Sequence, residues 1–89
     1  MEVHRRAWRE ALAPKPGWRP IPGKDELQFR SGTSADFIGE VLRSTVQKHS
    51  QVADSLGYQL ATHETHLDQD QHGYTEGWVK FKFEPKPTT

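Results

Sequence analysis

The chain has no cysteine among its 89 residues, so a disulfide framework, a thiol nucleophile and a thiolate metal site are all closed to it. No apolar run approaches the ~20 residues that cross a bilayer, and no apolar segment follows the basic residues 1–9, so neither a membrane span nor a secretory signal is expected. Twelve basic and twelve acidic side chains leave no net charge, which argues against a protein whose main task is to neutralise phosphates. There is no G-x-S-x-G elbow and no Gly-rich turn from strand to helix. The expectation is a cytoplasmic, non-enzymatic protein with no business at a membrane and none, as its principal ligand, with nucleic acid.

What is present is small and unevenly charged. Residues 1–24 carry Arg5, Arg6, Arg9, Lys15, Arg19 and Lys24 against Glu2 and Glu10, while the later part of the chain is slightly acidic. Four prolines in residues 14–23 remove backbone donors and fix φ, so this stretch reads as an extended linker or strap. The organisation expected is a basic, Pro-rich arm over residues 1–23 with a short helix at 3–13, a single domain over 24–84, and a tail at 85–89. A core of some sixty residues without disulfides is marginal alone, which makes homo-oligomerisation the expectation.

Periodicity supplies the fold. Leu27 and Phe29 alternate with polar residues in 26–30 and define a short strand. Thr33 followed three residues later by Asp36 has the form of a capping box, so a helix should start there. From that point Phe37, Ile38, Val41, Leu42, Thr45, Val46, His49, Ala53 and Leu56 trace one apolar stripe over about six turns, and Gly57 supplies the C-terminal stop. Residues 58–67 and 74–83 are rich in β-branched and aromatic side chains, with Val79, Phe81 and Phe83 alternating against Lys80 and Lys82, and residues 68–73 form the turn between them. The fold class expected is α+β: a two-layer β-α-β-β unit with one long amphipathic helix on a three-stranded antiparallel sheet, behind a short N-terminal helix. At 1.5 Å per residue, a 23-residue helix of about 34 Å would overhang eight-residue strands.

Few residues have the makings of a chemical site. His63 and His66 fall three apart, not four as in a zinc-protease helix, and on a strand they face opposite sides. Asp68, Asp70 and Gly73 echo the start of an EF-hand loop, but Val79 stands where its bidentate Glu belongs, and a hairpin turn explains the same residues. His49 sits on the apolar stripe, where a hydrogen-bonded core histidine is expected before a general base. Ala53, Gly57 and Ala61 echo helix-turn-helix spacing, with 58–67 as reader and the hairpin as wing; that reader would carry no Arg or Lys.

Trp8, Trp18 and Trp78 are the side chains best able to anchor a partner or stack on a flat ligand. In the arm, Trp8 and Trp18 with Arg9 and Arg19 are expected to dock on the body or on a protein partner. Contacts between copies are expected through the stripe of the long helix, where Phe37 and Val41 are singled out, or through a sheet edge. Against self-association stand two alternatives: a small nucleic-acid-binding regulator, and a small inhibitor or adaptor of another protein.

From Leu27 to Glu84 the chain resembles the dodecins: a short strand, Gly32-Thr33-Ser34 opening an amphipathic helix, Leu56-Gly57-Tyr58 entering a second strand, then a hairpin ending in Phe81-Lys82-Phe83-Glu84. The resemblance implies a hollow dodecamer whose strands curl around helices, with flavin stacked between tryptophans at a symmetry axis. Tyr58 matches the stacking position here, so Tyr58 and Trp78 are the residues expected to hold a flat cofactor. The Pro-rich basic arm has no counterpart in that family, and the hairpin is shorter.

Overall fold

The alternation of Val79, Phe81 and Phe83 makes the last strand the most apolar of the three, and it takes the centre of the sheet. The computed structural model describes the backbone of residues 2–72 and 74–87, and their side chains except 2–5 and 31. Gly73 of the expected turn, Thr88 and Thr89 of the tail, and the side chains of Val3 and Arg5 lie outside the described residues. The order is α1 (Glu2–Leu12), β1 (Asp25–Ser31), α2 (Ala35–Ser55), β2 (Tyr58–Gln69) and β3 (Thr75–Pro85). The sheet order is β1-β3-β2, and both outer strands run antiparallel to β3. β1 and β2 are therefore parallel to each other with β3 between them, and α2 makes the crossover. This is the α+β arrangement that the periodicity predicts.

Odd-numbered residues of β1 and β3 face the helices. Phe29, Val79, Phe81 and Phe83 meet Phe37, Ile38, Val41, Leu42, Val46 and Ala53 of α2 in one core. Burying a side chain of this size stabilises by roughly 1.5–3 kcal/mol each, which is what holds so short a chain together. From Phe37 to Ala53 the stripe on α2 is spent within the chain, and only Leu56 at its end is exposed. Phe37 and Val41, expected at a contact between copies, are 7% and 0% exposed and belong to the chain's own core, so no partner can reach them.

Three further expectations are corrected. The helix cap is Ser34, one residue after the expected Thr33: its backbone is extended and its Oγ accepts from the Phe37 amide at 3.3 Å. The Thr33 carbonyl accepts instead from the hydroxyl of fully buried Thr75, tying the entry of α2 to the start of β3. Nor does the helix overhang the sheet. β2 and β3 extend to 12 and 11 residues, so β2 spans about 41 Å against about 31 Å for the 21 residues of α2. The turn shrinks accordingly, and Asp70 closes it by accepting from the His72 and Tyr74 amides at 2.8 and 3.0 Å.

The arm docks on the body. On α1, Leu12 is buried, Trp8 meets Phe29 edge-on at 6.3 Å between ring centroids, and Arg9 pairs with Glu40 of α2 at 3.0 Å. Residues 13–24 then cross the helix side as a strap. Trp18 lies edge-on to His49 at 4.7 Å and to Phe83 at 5.8 Å, while Asp25 Oδ2 accepts from the Ile21 amide at 3.0 Å.

Candidate functional site

Two buried titratable groups lie beneath the strap. His49 is 2% exposed; its Nδ1 is 2.8 Å from the Thr45 carbonyl, which can only accept, so Nδ1 carries the proton. Burial pushes the His49 pKa below its usual 6.5, against the opposing pull of the Thr45 carbonyl and Asp25. Burial likewise raises Asp25 above 3.8, opposed by the Ile21 amide and His49. Walled in by Trp18 and Phe81, His49 is a core histidine with no route to a substrate.

The depressed pKa carries a sign. Below pH 6.5 the unfolded chain takes up a proton at His49 that the folded chain resists, so stability present above pH 6.5 is lost as pH falls towards the folded pKa, with a slope of at most about 1.4 kcal/mol per pH unit. Asp25 works in the opposite direction, in the window between 3.8 and its raised folded value. Chemical denaturation at pH 7.5, 6.5 and 5.5 should therefore show a decline in the wild type and a flatter profile in His49→Phe, which keeps a flat ring against Trp18 and Phe81. Equal slopes in the two proteins would reject this assignment.

The other side of the sheet is bare of helices. Its rows, read from β1 across β3 to β2, are Arg30–Glu76–Asp68, Gln28–Trp78–His66 and Glu26–Lys80–Glu64. These side chains largely satisfy one another. Arg30 bonds Glu76 at 2.9 Å, Lys80 lies 3.8 Å from Glu26, and Gln59 donates to Glu84 at 2.7 Å. Trp78 stacks on His66 at 5.4 Å between centroids, with Lys80 Nζ 4.8 Å from its ring. A shallow hollow of about 450 Å³ lies among Lys24, Glu26, Thr62, Glu64, Lys80 and Lys82. Charges of both signs line it, so it makes no field of one sign for a phosphate backbone.

Tyr58 and Trp78 are not brought together. Trp78 lies on the outer face opposite His66, whereas Tyr58 packs towards the core on the helix side and pairs with Pro85. Eight residues of β2 separate their rows, about 27 Å. One chain therefore cannot clamp a flat cofactor between them. Trp8 and Trp18 are half-buried on the chain's own core and Arg9 is paired with Glu40, while Arg19 is exposed on the strap. His63 and His66 take opposite faces of β2, and residues 58–67 are strand, which removes the recognition helix from the helix-turn-helix alternative.

The sequence offers a sheet edge as one of two possible contacts between copies without saying which strand supplies it, and that strand is β2. Among the described residues no strand pairs with its outer side. Residues 61–66 are exposed in an unbroken run that includes both faces. A strand edge leaves backbone donors and acceptors open to pairing with another chain, and proteins ordinarily blunt it with lysines, prolines or brevity. β2 has none of these: it is twelve residues long and holds no Lys, Arg or Pro. Its single irregularity is at Ala61, between the pairs Leu60–Phe83 and Thr62–Lys82; from Thr62 to Gln69 the ladder is regular. The other edge strand, β1, is seven residues long and carries Asp25, Glu26 and Arg30, whereas β2 carries the acids Glu64 and Asp68 but no Lys or Arg.

No helix of the described residues is long and apolar enough to cross a membrane. No protein-family model matches the chain, and neither a curated protein nor a solved structure does so.

Proposed function

We propose that this chain is a non-catalytic, self-associating module whose contact with further copies is made by the open edge of β2. The observation that carries this is an edge of twelve residues without Lys, Arg or Pro, exposed on both faces over residues 61–66. Strand addition satisfies the open backbone groups and extends the sheet without using the helix stripe, which is consumed within the chain. Two features weaken the nucleic-acid alternative: the charge-balanced outer face and the β conformation of residues 58–67. The adaptor alternative loses its expected anchors, since Trp8 and Trp18 lie against the chain's own core. A shell of the kind that the dodecin resemblance implies would need this contact and at least one more, and a flat ligand such as flavin would have to be shared between copies.

Light scattering of the purified protein across a dilution series tests the proposal. The expected result is a mass of at least two chains of 10.2 kDa each at micromolar concentration, moving towards one chain on dilution. One chain's mass throughout would overturn it. Visible absorbance recorded on the same peak tests the ligand: a bound chromophore would support the flavin reading, and a colourless assembly would leave self-association without it.

A further inference from the structure

Resting on that self-association, the geometry points to a particular partner and register: we infer that a second copy adds to β2 in antiparallel fashion about a two-fold axis through Thr65, giving a continuous six-stranded sheet. In a two-fold pairing with both helix layers on one side of the sheet, directly opposed residues must point to the same face. The axis then passes through a residue, and the choice is which one.

Charge decides among the candidates. An axis at Glu64 places that carboxylate against its own copy. An axis at His66 sets Glu64 against Asp68 of the other copy, twice. An axis at His63 or earlier drives the irregularity at Ala61 into the ladder within two residues of the axis. An axis at Leu67 or beyond pairs few residues, because β2 ends at Gln69.

An axis at Thr65 avoids all of these. It pairs residues 62–68, all within the regular stretch, and ends the ladder where the bulge begins. On the outer face it sets Glu64 opposite His66 of the other copy, and Thr62 opposite Asp68, each pair occurring twice. On the helix side it sets His63 opposite Leu67 and Thr65 opposite itself. Thr–Thr pairs directly across an antiparallel ladder are favourable and like charges are not, and this register has the first and none of the second. The row Glu26–Lys80–Glu64 then runs on into His66, Trp78 and Gln28 of the second copy, so that no carboxylate meets another across the junction.

The absence of native cysteine makes the register directly readable, because any disulfide must come from an introduced residue. Thr65→Cys puts the two thiols directly opposite each other at the axis, within the reach of a disulfide. In His63→Cys the two thiols lie four residues apart along the strands, about 13 Å and out of reach. Oxidation with oxidised glutathione at micromolar concentration, read on a denaturing gel, should link Thr65→Cys into dimers at least tenfold faster than His63→Cys. The double variant His63→Cys with Leu67→Cys should link as well, and covers the case in which Thr65→Cys does not fold. Faster linking by His63→Cys would overturn the register. A dimeric mass by light scattering with no linking in either designed variant would overturn it too while leaving self-association standing. A monomeric wild type would remove both.

Discussion

Replacing Gly77 with alanine is expected to destabilise the chain by about 3 kcal/mol or more, out of all proportion to one added methyl group. Gly77, the third residue of β3, lies on the helix side between Phe29 of β1 and Leu67 of β2. A Cβ built there lies 2.8 Å from Phe29 Cζ and overlaps the carbonyl oxygen of His66. The Phe29 ring could swing aside, at the cost of its contact with Trp8. The carbonyl belongs to the neighbouring strand's backbone, so the central β2–β3 ladder would have to part. Gly39 is the contrasting case: its nearest neighbour is Leu67 Cδ1 at 3.9 Å, ordinary contact, and no other backbone approaches it. Gly39→Ala should therefore stabilise by roughly 0.5–1 kcal/mol through helix propensity. Urea unfolding of the two variants reads both effects, and midpoints shifting in the same direction would reject the packing described at Gly77.

Phe81→Ala should cost roughly 3–5 kcal/mol, a large share of what a domain of this size possesses. Phe81 is 1% exposed at the centre of the core, 5.0 Å from the His49 ring and 5.4 Å from Phe83 between centroids. Its removal opens a cavity beneath the strap as well as forfeiting the transfer energy. Tyr74, 50% exposed beside the β2–β3 turn, is the control, and Tyr74→Ala should cost less than about 1 kcal/mol. Thermal melts at fixed protein concentration separate the two. A Phe81→Ala protein that melts within a few degrees of Tyr74→Ala would mean that the core is not built around β3.

The elements were readable because their periods are local. Val79, Phe81 and Phe83 announce a strand by alternation, and the stripe from Phe37 to Ala53 announces a helix by its 3.6-residue repeat, without reference to the rest of the chain. What covers that stripe is a tertiary matter. Phe37 and Val41 look the same in sequence whether their partner is the chain's own sheet or another copy. The cap fell at Ser34 and not at Thr33 because the Thr33 carbonyl is held by Thr75, a contact 42 residues away in sequence. The strap was legible as an extended Pro-rich segment, but the seating of Trp18 on His49 was not, since no local rule joins residue 18 to residue 49.

The open edge lies deeper still. It exists because β3 takes the centre and β2 the outside, and strand order is decided by long-range pairing that periodicity does not encode. The one signal in the sequence was negative: no Lys, Arg or Pro from Tyr58 to Gln69, in a chain that has twelve basic residues and six prolines to place.

The most direct test sets the solution mass of the wild type beside that of Thr65→Lys at the same micromolar concentration. Thr65 is exposed, so a lysine there leaves the folded monomer intact while placing a positive charge on its own copy at the axis and blunting the edge. At least two chains are expected for the wild type and one for Thr65→Lys, with the same far-ultraviolet circular dichroism per chain. A single-chain wild type, or two proteins of the same assembled mass, would contradict it.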